Sequence, residues 1–356
     1  MKPMNLQKYK MNFKYAFRPH KPIMMLRLAT TFFKILVLKK RPLRYVDFNI
    51  TDKCNLRCQH CFATAFKQTD RPKMQIEDYR RVMKEANKLG AVNFSFQGGE
   101  PLLYPQLEEL IKSAAPYKNV ISVTTNGTLL TPERAKSLRK IGVDIFTISL
   151  DSMIADEHDS FRNKKGTYDK TLIGIESALE NGCNVTIGTT LSHQNIKSEG
   201  IEKLFEWVCQ KHITLCLDLA VPVGEWAENY NILLTDDDMT YVEILKKKYP
   251  YIRTDFEANY VKRGCGAGKE VLYITPYGDV LSCPYIHISF GNIFERSLEE
   301  IRNTLLQNKY FGDYWQKCLC AIDKNFINEF LKKVNDSKIS PIDYKQIFQK
   351  EACFIQ

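Results

Sequence analysis

The chain has no internal repeat and no low-complexity stretch in its 356 residues, so repeat and solenoid architectures are excluded. Acidic residues are absent from positions 1–44, where twelve Lys or Arg stand. Over the rest of the chain the charges nearly cancel, with 39 basic residues against 41 acidic. The net charge of +10 therefore belongs to one terminal arm, and the body lacks the basic run that a nucleic-acid surface needs. No small-residue cleavage site follows the apolar run near the N-terminus, so no secretory signal is expected. That run, residues 23–38, is also too short and too interrupted by Arg27, Thr30, Thr31 and Lys34 to span a bilayer.

Cysteine, by contrast, is abundant. Eleven is an odd count, unevenly spread, which suits a metal cluster in a reducing, cytoplasmic compartment better than a disulfide framework. A hydrophobic fraction of 44% is enough for a sizeable core, as one large domain or two. Cys54, Cys58 and Cys61 stand in the run CNLRCQHC. Three thiolates can hold three corners of a 4Fe–4S cube and leave the fourth iron open, whereas an electron-transfer cluster uses four. His60 inside the run keeps a zinc site open as the alternative.

From residue 45 apolar periodicity alternates between two and 3.6. Strands are expected at 45–50, 92–96, 119–125, 143–150, 185–191 and 213–219. Helices are expected at 74–89, from 107, from Pro132 behind the cap Thr131, at 167–179 and at 201–208. Six β/α alternations imply an α/β fold with a parallel sheet curled into a full or partial barrel, with functional residues at the C-terminal strand ends.

Chemistry-bearing residues fall at those ends. After strand two comes Gly98-Gly99-Glu100-Pro101, where glycine permits close backbone approach and the carboxylate can receive an ammonium. Strand three ends in Asn126-Gly127, which also suits a plain turn. Strand four ends in Ser149 and Asp151, on one face and able to meet ribose hydroxyls. Arg162 follows as a carboxylate clamp or a surface charge. Gly188 in strand five leaves room for a ring against the backbone. Asp218 and Glu225, near the end of strand six, are the candidates for a general acid or base. Cys183, Cys209 and Cys216 lack partners at ligand spacing and read as small core residues.

In these motifs and their order the chain closely resembles the radical S-adenosylmethionine (SAM) superfamily over residues 45–220. The resemblance implies a partial (β/α)6 TIM-like barrel in which SAM chelates the open iron of a 4Fe–4S cluster on Cys54, Cys58 and Cys61. It implies SAM contacts at Gly98, Gly99, Glu100, Asn126, Ser149, Asp151, Arg162 and Gly188. It also implies reductive cleavage of SAM to a 5′-deoxyadenosyl radical that abstracts hydrogen, with a flavodoxin- or ferredoxin-type electron donor. Beyond the barrel, Cys265 and Cys283 bracket a hairpin in a pattern similar to SPASM/twitch extensions. With Cys318 and Cys320 they would hold a second 4Fe–4S cluster, with Cys353 as an alternative ligand and zinc as an alternative metal.

These readings divide the chain into an arm at 1–44, a core at 45–225 and a small auxiliary-cluster domain at 226–356. The arm is expected to form an amphipathic helix, either in an anionic membrane interface or docked on the body or a second subunit. A membrane-proximal lipid or lipid-linked sugar is the substrate expected from it, placing the enzyme at the inner membrane face. A peptide-modifying maturase is the alternative, and a non-catalytic iron–sulfur or zinc protein the rival of another class.

Overall fold

The computed structural model describes residues 17–66, 70–256, 259–260, 264–349 and 353–354. Seven strands run parallel and in chain order: β1 Tyr45–Asn49, β2 Asn93–Gln97, β3 Val120–Thr125, β4 Ile145–Ser149, β5 Asn184–Leu191, β6 Thr214–Leu219 and β7 Ile252–Thr254. The helices are α1 Pro22–Leu36, α2 Ile76–Lys88, α3 Leu107–Ser113, α4 Pro132–Ile141, α5 Ala155–Phe161, α6 Thr167–Glu180, α7 Glu199–Gln210, α8 Asp236–Lys248 and α9 Leu298–Leu306. On the other side of β1 the sheet continues through β8 Val271–Ile274, β9 Asp279–Leu281, β10 Ile288–Asn292 and β11 Ile342–Asp343. β8 pairs parallel with β1, and β9 and β10 follow antiparallel. The eleven-stranded sheet ends at β11 and β7 and does not close. The barrel is therefore partial, as expected, with two more parallel strands than the six read from periodicity, β7 at one edge and β8 on the far side of β1. β7 has only three residues, too few to show a period, and it carries the parallel sheet past the boundary expected at residue 225.

The strands alternate strictly. Phe48, Phe94, Phe96, Phe146, Ile187 and Leu217 are fully buried against the helices. Each such burial is worth about 1.5–3 kcal/mol relative to exposure. α2 answers with Tyr79, Val82, Met83 and Ala86 at helical spacing, and a capping box between Gln75 and Asp78 starts it. Thr131 caps α4 and Gly142, in the left-handed region, ends it. The opposite strand faces carry Asp47, Ser95, Ser122, Thr147, Thr186 and Asp218, which line the lumen. A parallel sheet packed on both faces reads as continuous apolar runs. Alternation here marks a lumen that is a polar cavity rather than a packed core.

The arm helix α1 docks on the body, at the N-terminal ends of the strands and opposite the motif-bearing ends. Arg27 donates to the carbonyls of Ala91 (2.6 Å) and Lys118 (2.9 Å) and to the Asn119 side chain. Lys21 pairs with the fully buried Asp144 at 2.5 Å and donates to the Asn119 carbonyl, with Arg18 and Arg139 also near Asp144. Arg27 and Thr31 of the polar stripe thus face inward beside Met24, while Ile23, Leu26, Phe33 and Leu36 face solvent. No described helix is long and apolar enough to cross a membrane. Residues 1–16 of the arm lie outside the described residues.

Candidate functional site

The loop after β1 carries Cys54, Cys58 and Cys61, and neighbouring strand ends hold it. The amides of Gly99 and Glu100 donate to the carbonyls of Thr51 (2.7 Å) and Lys53 (2.8 Å), and the Glu225 amide to that of Cys61 (3.1 Å). Asn55 bonds Thr128 and Asn126. Burial pushes the Cys54 thiol up to about 11, and the charges of Glu100, Cys58 and Cys61 add to the rise, so the three sulfurs share one electrostatic environment. His60 stacks on Phe161 with ring centres 4.4 Å apart and leans on Trp226. Burial pulls its imidazole down to about 3, with Arg162 adding to the effect, so it is neutral.

The residues expected to touch SAM divide into two groups. Glu100 is fully buried, and its carboxylate accepts from the Thr125 hydroxyl (2.7 Å) and the amides of Asn126 (2.9 Å) and Leu102 (3.0 Å). The carboxylate thereby joins the ends of β2 and β3. A Cβ on Gly99 would stand 2.3 Å from the Lys53 carbonyl oxygen, so this glycine admits the cysteine loop rather than a ligand. Asn126 uses its amide on Asn55 and its carbonyl oxygen on Thr128. Asp151 is bound to Arg162 (2.7 Å), and its second oxygen accepts from Thr190. Burial alone would raise Asp151, but Arg162 and then His158 outweigh it and hold the carboxyl well below the usual range. Arg162 also reaches the Cys58 sulfur at 3.7 Å. These residues build and charge the three-cysteine loop. Gly98 packs on the same loop, where a Cβ would stand 2.5 Å from the Thr51 carbonyl oxygen, and Ser149 is half-buried at the end of β4 beside Gly188.

Asp218 and Glu225 part company. Glu225 is exposed, beyond the lumen. Asp218 lines a cavity of about 240 Å³ together with Asp47, Arg253 and Asp255. Burial raises Asp218 well above an ordinary aspartate, and the Asp255 charge raises it further. Burial likewise pushes Asp47 up to about 7. The sulfur of Cys216 lies within 4.8 Å of the Asp218 and Asp255 oxygens, so Cys216 belongs to the cavity wall and not to the core proper. Arg253 bonds that sulfur and opposes a cation there. Asp47, Arg253 and Asp255 were missed because their partners lie on distant strands, although their inward parity was readable.

The same cavity is walled by Cys265, Cys283, Cys318 and Cys320. An isolated pairing of Cys265 with Trp315 brings the hairpin to the second cysteine pair, and Cys318 and Cys320 are 3.7 Å apart. A single zinc with Zn–S near 2.3 Å needs sulfurs roughly 3.8 Å apart throughout. Cys320 also bonds Cys283, so Cys283, Cys318 and Cys320 are neighbours in the wall. Cys353 lies elsewhere, beside Tyr310.

Comparison with known proteins agrees with this arrangement. The sequence model of the Radical SAM superfamily matches residues 48–208, and that of an iron–sulfur cluster-binding domain, SPASM, matches residues 265–322. Together they take in more than half of the chain. The chain is 26% identical over 286 residues to the AdoMet-dependent heme synthase of Methanosarcina barkeri, covering 72% of this chain and 81% of that protein. It is 25% identical over 315 residues to the subtilosin biosynthesis protein AlbA of Bacillus subtilis, covering 83% and 68%. Among solved structures, Streptococcus suis SuiB bound to its precursor peptide SuiA superposes with a TM-score of 0.60 at 18% identity, over 83% of this chain and 72% of that one.

Proposed function

The chain belongs to the radical SAM superfamily and carries a C-terminal SPASM iron–sulfur domain; from that premise we propose that it attacks a polar substrate group held in the barrel cavity. Cys54, Cys58 and Cys61 would hold the SAM-binding 4Fe–4S cluster, and Cys265, Cys283, Cys318 and Cys320 an auxiliary one. When bound, these groups supply a 5′-deoxyadenosyl radical and a route for electrons. The protein supplies the rest. Arg162, fixed by Asp151, places a positive charge at Cys58. Glu100 locks the loops that surround the cysteines. Asp218, whose carboxyl burial and the Asp255 charge raise well above an ordinary aspartate, is placed to exchange a proton with the substrate.

The observation that carries this reading is the polar inward face of seven strands, continuous with the four-cysteine wall. A lumen lined by Asp47, Asp218, Asp255 and Arg253 suits a side chain of a peptide or a sugar and opposes an acyl chain. A peptide is the substrate class we favour, in keeping with AlbA, a bacteriocin biosynthesis protein, and SuiB, which binds a precursor peptide. The test is anaerobic incubation of the reduced, reconstituted enzyme with deuterated peptide, glycan and lipid fractions of a cell extract. Deuterium should enter 5′-deoxyadenosine from the peptide fraction, and transfer only from lipid would overturn the substrate assignment.

A second observation concerns the arm. The outward apolar face of α1, followed by the exposed Lys39 and Lys40, supports peripheral contact with an anionic bilayer. Because this face lies at the N-terminal ends of the strands, such contact would tether the enzyme without feeding lipid to the radical site. Leu26→Glu with Phe33→Glu should abolish co-sedimentation with anionic vesicles; unchanged binding would refute the contact.

A further inference from the structure

Lys269 is among the most deeply buried residues of the protein, 1% exposed. Its ammonium donates to the carbonyls of Ala267 and Phe311, each at 3.2 Å, and lies 5.5 Å from the Tyr314 ring centre. These groups accept protons but bring no charge. A buried ammonium is costly unless an anion compensates it. Among the described residues no carboxylate is bonded to Lys269. Glu270, its neighbour in sequence, is engaged with Arg44 (3.1 Å), the Tyr260 amide (2.8 Å) and the Tyr314 hydroxyl (2.5 Å). Asp313 has a mostly exposed side chain and is screened by water. A second buried cation, Arg302, donates to the Lys269 and Arg41 carbonyls. Ala267, whose carbonyl the ammonium meets, lines the cavity together with Cys265, Cys283, Cys318 and Cys320, so the charge sits just behind the four-cysteine wall.

We infer that Lys269 is the counter-cation of the auxiliary site and holds the reduction potential of the cluster bound there above the value it would otherwise have. The inference rests on the reading that Cys265, Cys283, Cys318 and Cys320 bind an iron–sulfur cluster. Such a cluster with thiolate ligands is anionic and gains another negative charge on reduction, and nearby charge is one of the factors that set its potential. A fixed cation in a low-dielectric surround stabilises the reduced form more than the oxidised form. Lys269 touches neither substrate nor the reacting atoms, so its role is to tune the cluster.

The test is an EPR-monitored redox titration of the full chain, reconstituted anaerobically and without SAM, as the parent, Lys269→Met and Lys269→Arg. The methionine keeps the length and apolar stem of lysine and removes the charge. The reduction equilibrium of the auxiliary cluster should move about tenfold toward the oxidised form in Lys269→Met, about 59 mV for a one-electron couple. Lys269→Arg should stay near the parent, and the Cys54/Cys58/Cys61 cluster should be unmoved in both. An unchanged auxiliary potential in Lys269→Met, or equal shifts in both clusters, would overturn the inference. Loss of auxiliary iron in Lys269→Met but not in Lys269→Arg would support it, since charge then holds the cluster itself. Loss in both would overturn it in favour of packing. A parent with about four irons per chain and no second signal would instead refute the auxiliary-cluster reading beneath it.

Discussion

Replacing Asp151 by Asn separates a structural role from direct contact with SAM. The Asp151 carboxylate and the Arg162 guanidinium are both nearly inaccessible and 2.7 Å apart. Removing one partner of such a pair costs about 3–5 kcal/mol, because the other charge is left buried and uncompensated. Two features modify that figure here. His158, 3.5 Å from Asp151, can supply no negative charge and so does not replace it. The Cys58 sulfur, 3.7 Å from Arg162, becomes a thiolate when it binds iron and then offers a partial substitute. Asp151→Asn should therefore lose about 3–5 kcal/mol in the iron-free chain and clearly less once reconstituted. Urea unfolding of both forms at constant m-value measures this. The pH dependence has a definite sign. The folded carboxyl titrates below its unfolded value, so the pair stabilises fully above about pH 4 and fades as pH falls through the folded value. The variant should lack that acid limb. A loss under about 1 kcal/mol in the iron-free chain, or equal losses in both forms, would refute the argument.

Other perturbations have equally definite outcomes. Gly99→Val should lower iron content by about four per chain, because its side chain would occupy the place of the Lys53 carbonyl; full iron by chemical analysis would contradict this. Asp144→Asn should destabilise by about 3–5 kcal/mol, since Lys21, Arg18 and Arg139 all converge on that buried carboxylate, and removal of residues 1–43 should destabilise as well; unchanged urea midpoints would sink the docking of the arm. Cys353→Ala should leave the iron count of the parent intact. Asp218→Asn should retain both clusters and uncoupled SAM cleavage while losing hydrogen transfer from substrate, read as deuterium in 5′-deoxyadenosine.

What could be read from the sequence was what depends on neighbours in the chain. CNLRCQHC is such a signal, because its three cysteines fall in one short loop. The six longer strands and the hairpin between Cys265 and Cys283 were legible for the same reason. The alternation that gives a polar lumen was also present, in runs such as Tyr45-Val46-Asp47-Phe48-Asn49, but its meaning depends on the sheet curling around it. Roles set by distant partners were not readable. The bonds that Glu100 makes to Thr125 and Asn126, and Asp151 to Arg162, could not be foreseen. The arm showed its amphipathicity but not its orientation. The inward turn of Arg27 follows from carbonyls at the starts of β2 and β3 that the helix alone does not reveal. β7 escaped notice because three residues carry no period.

The central claim is that the three-cysteine loop, and no other cysteine set, supports SAM cleavage. The decisive measurement is 5′-deoxyadenosine formation under strong reductant, beside iron content, for the parent and a Cys54→Ala/Cys58→Ala/Cys61→Ala variant. The parent should cleave SAM and hold about eight irons, and the variant should hold about four and form no 5′-deoxyadenosine. A variant that cleaves SAM at the parent rate would contradict the account.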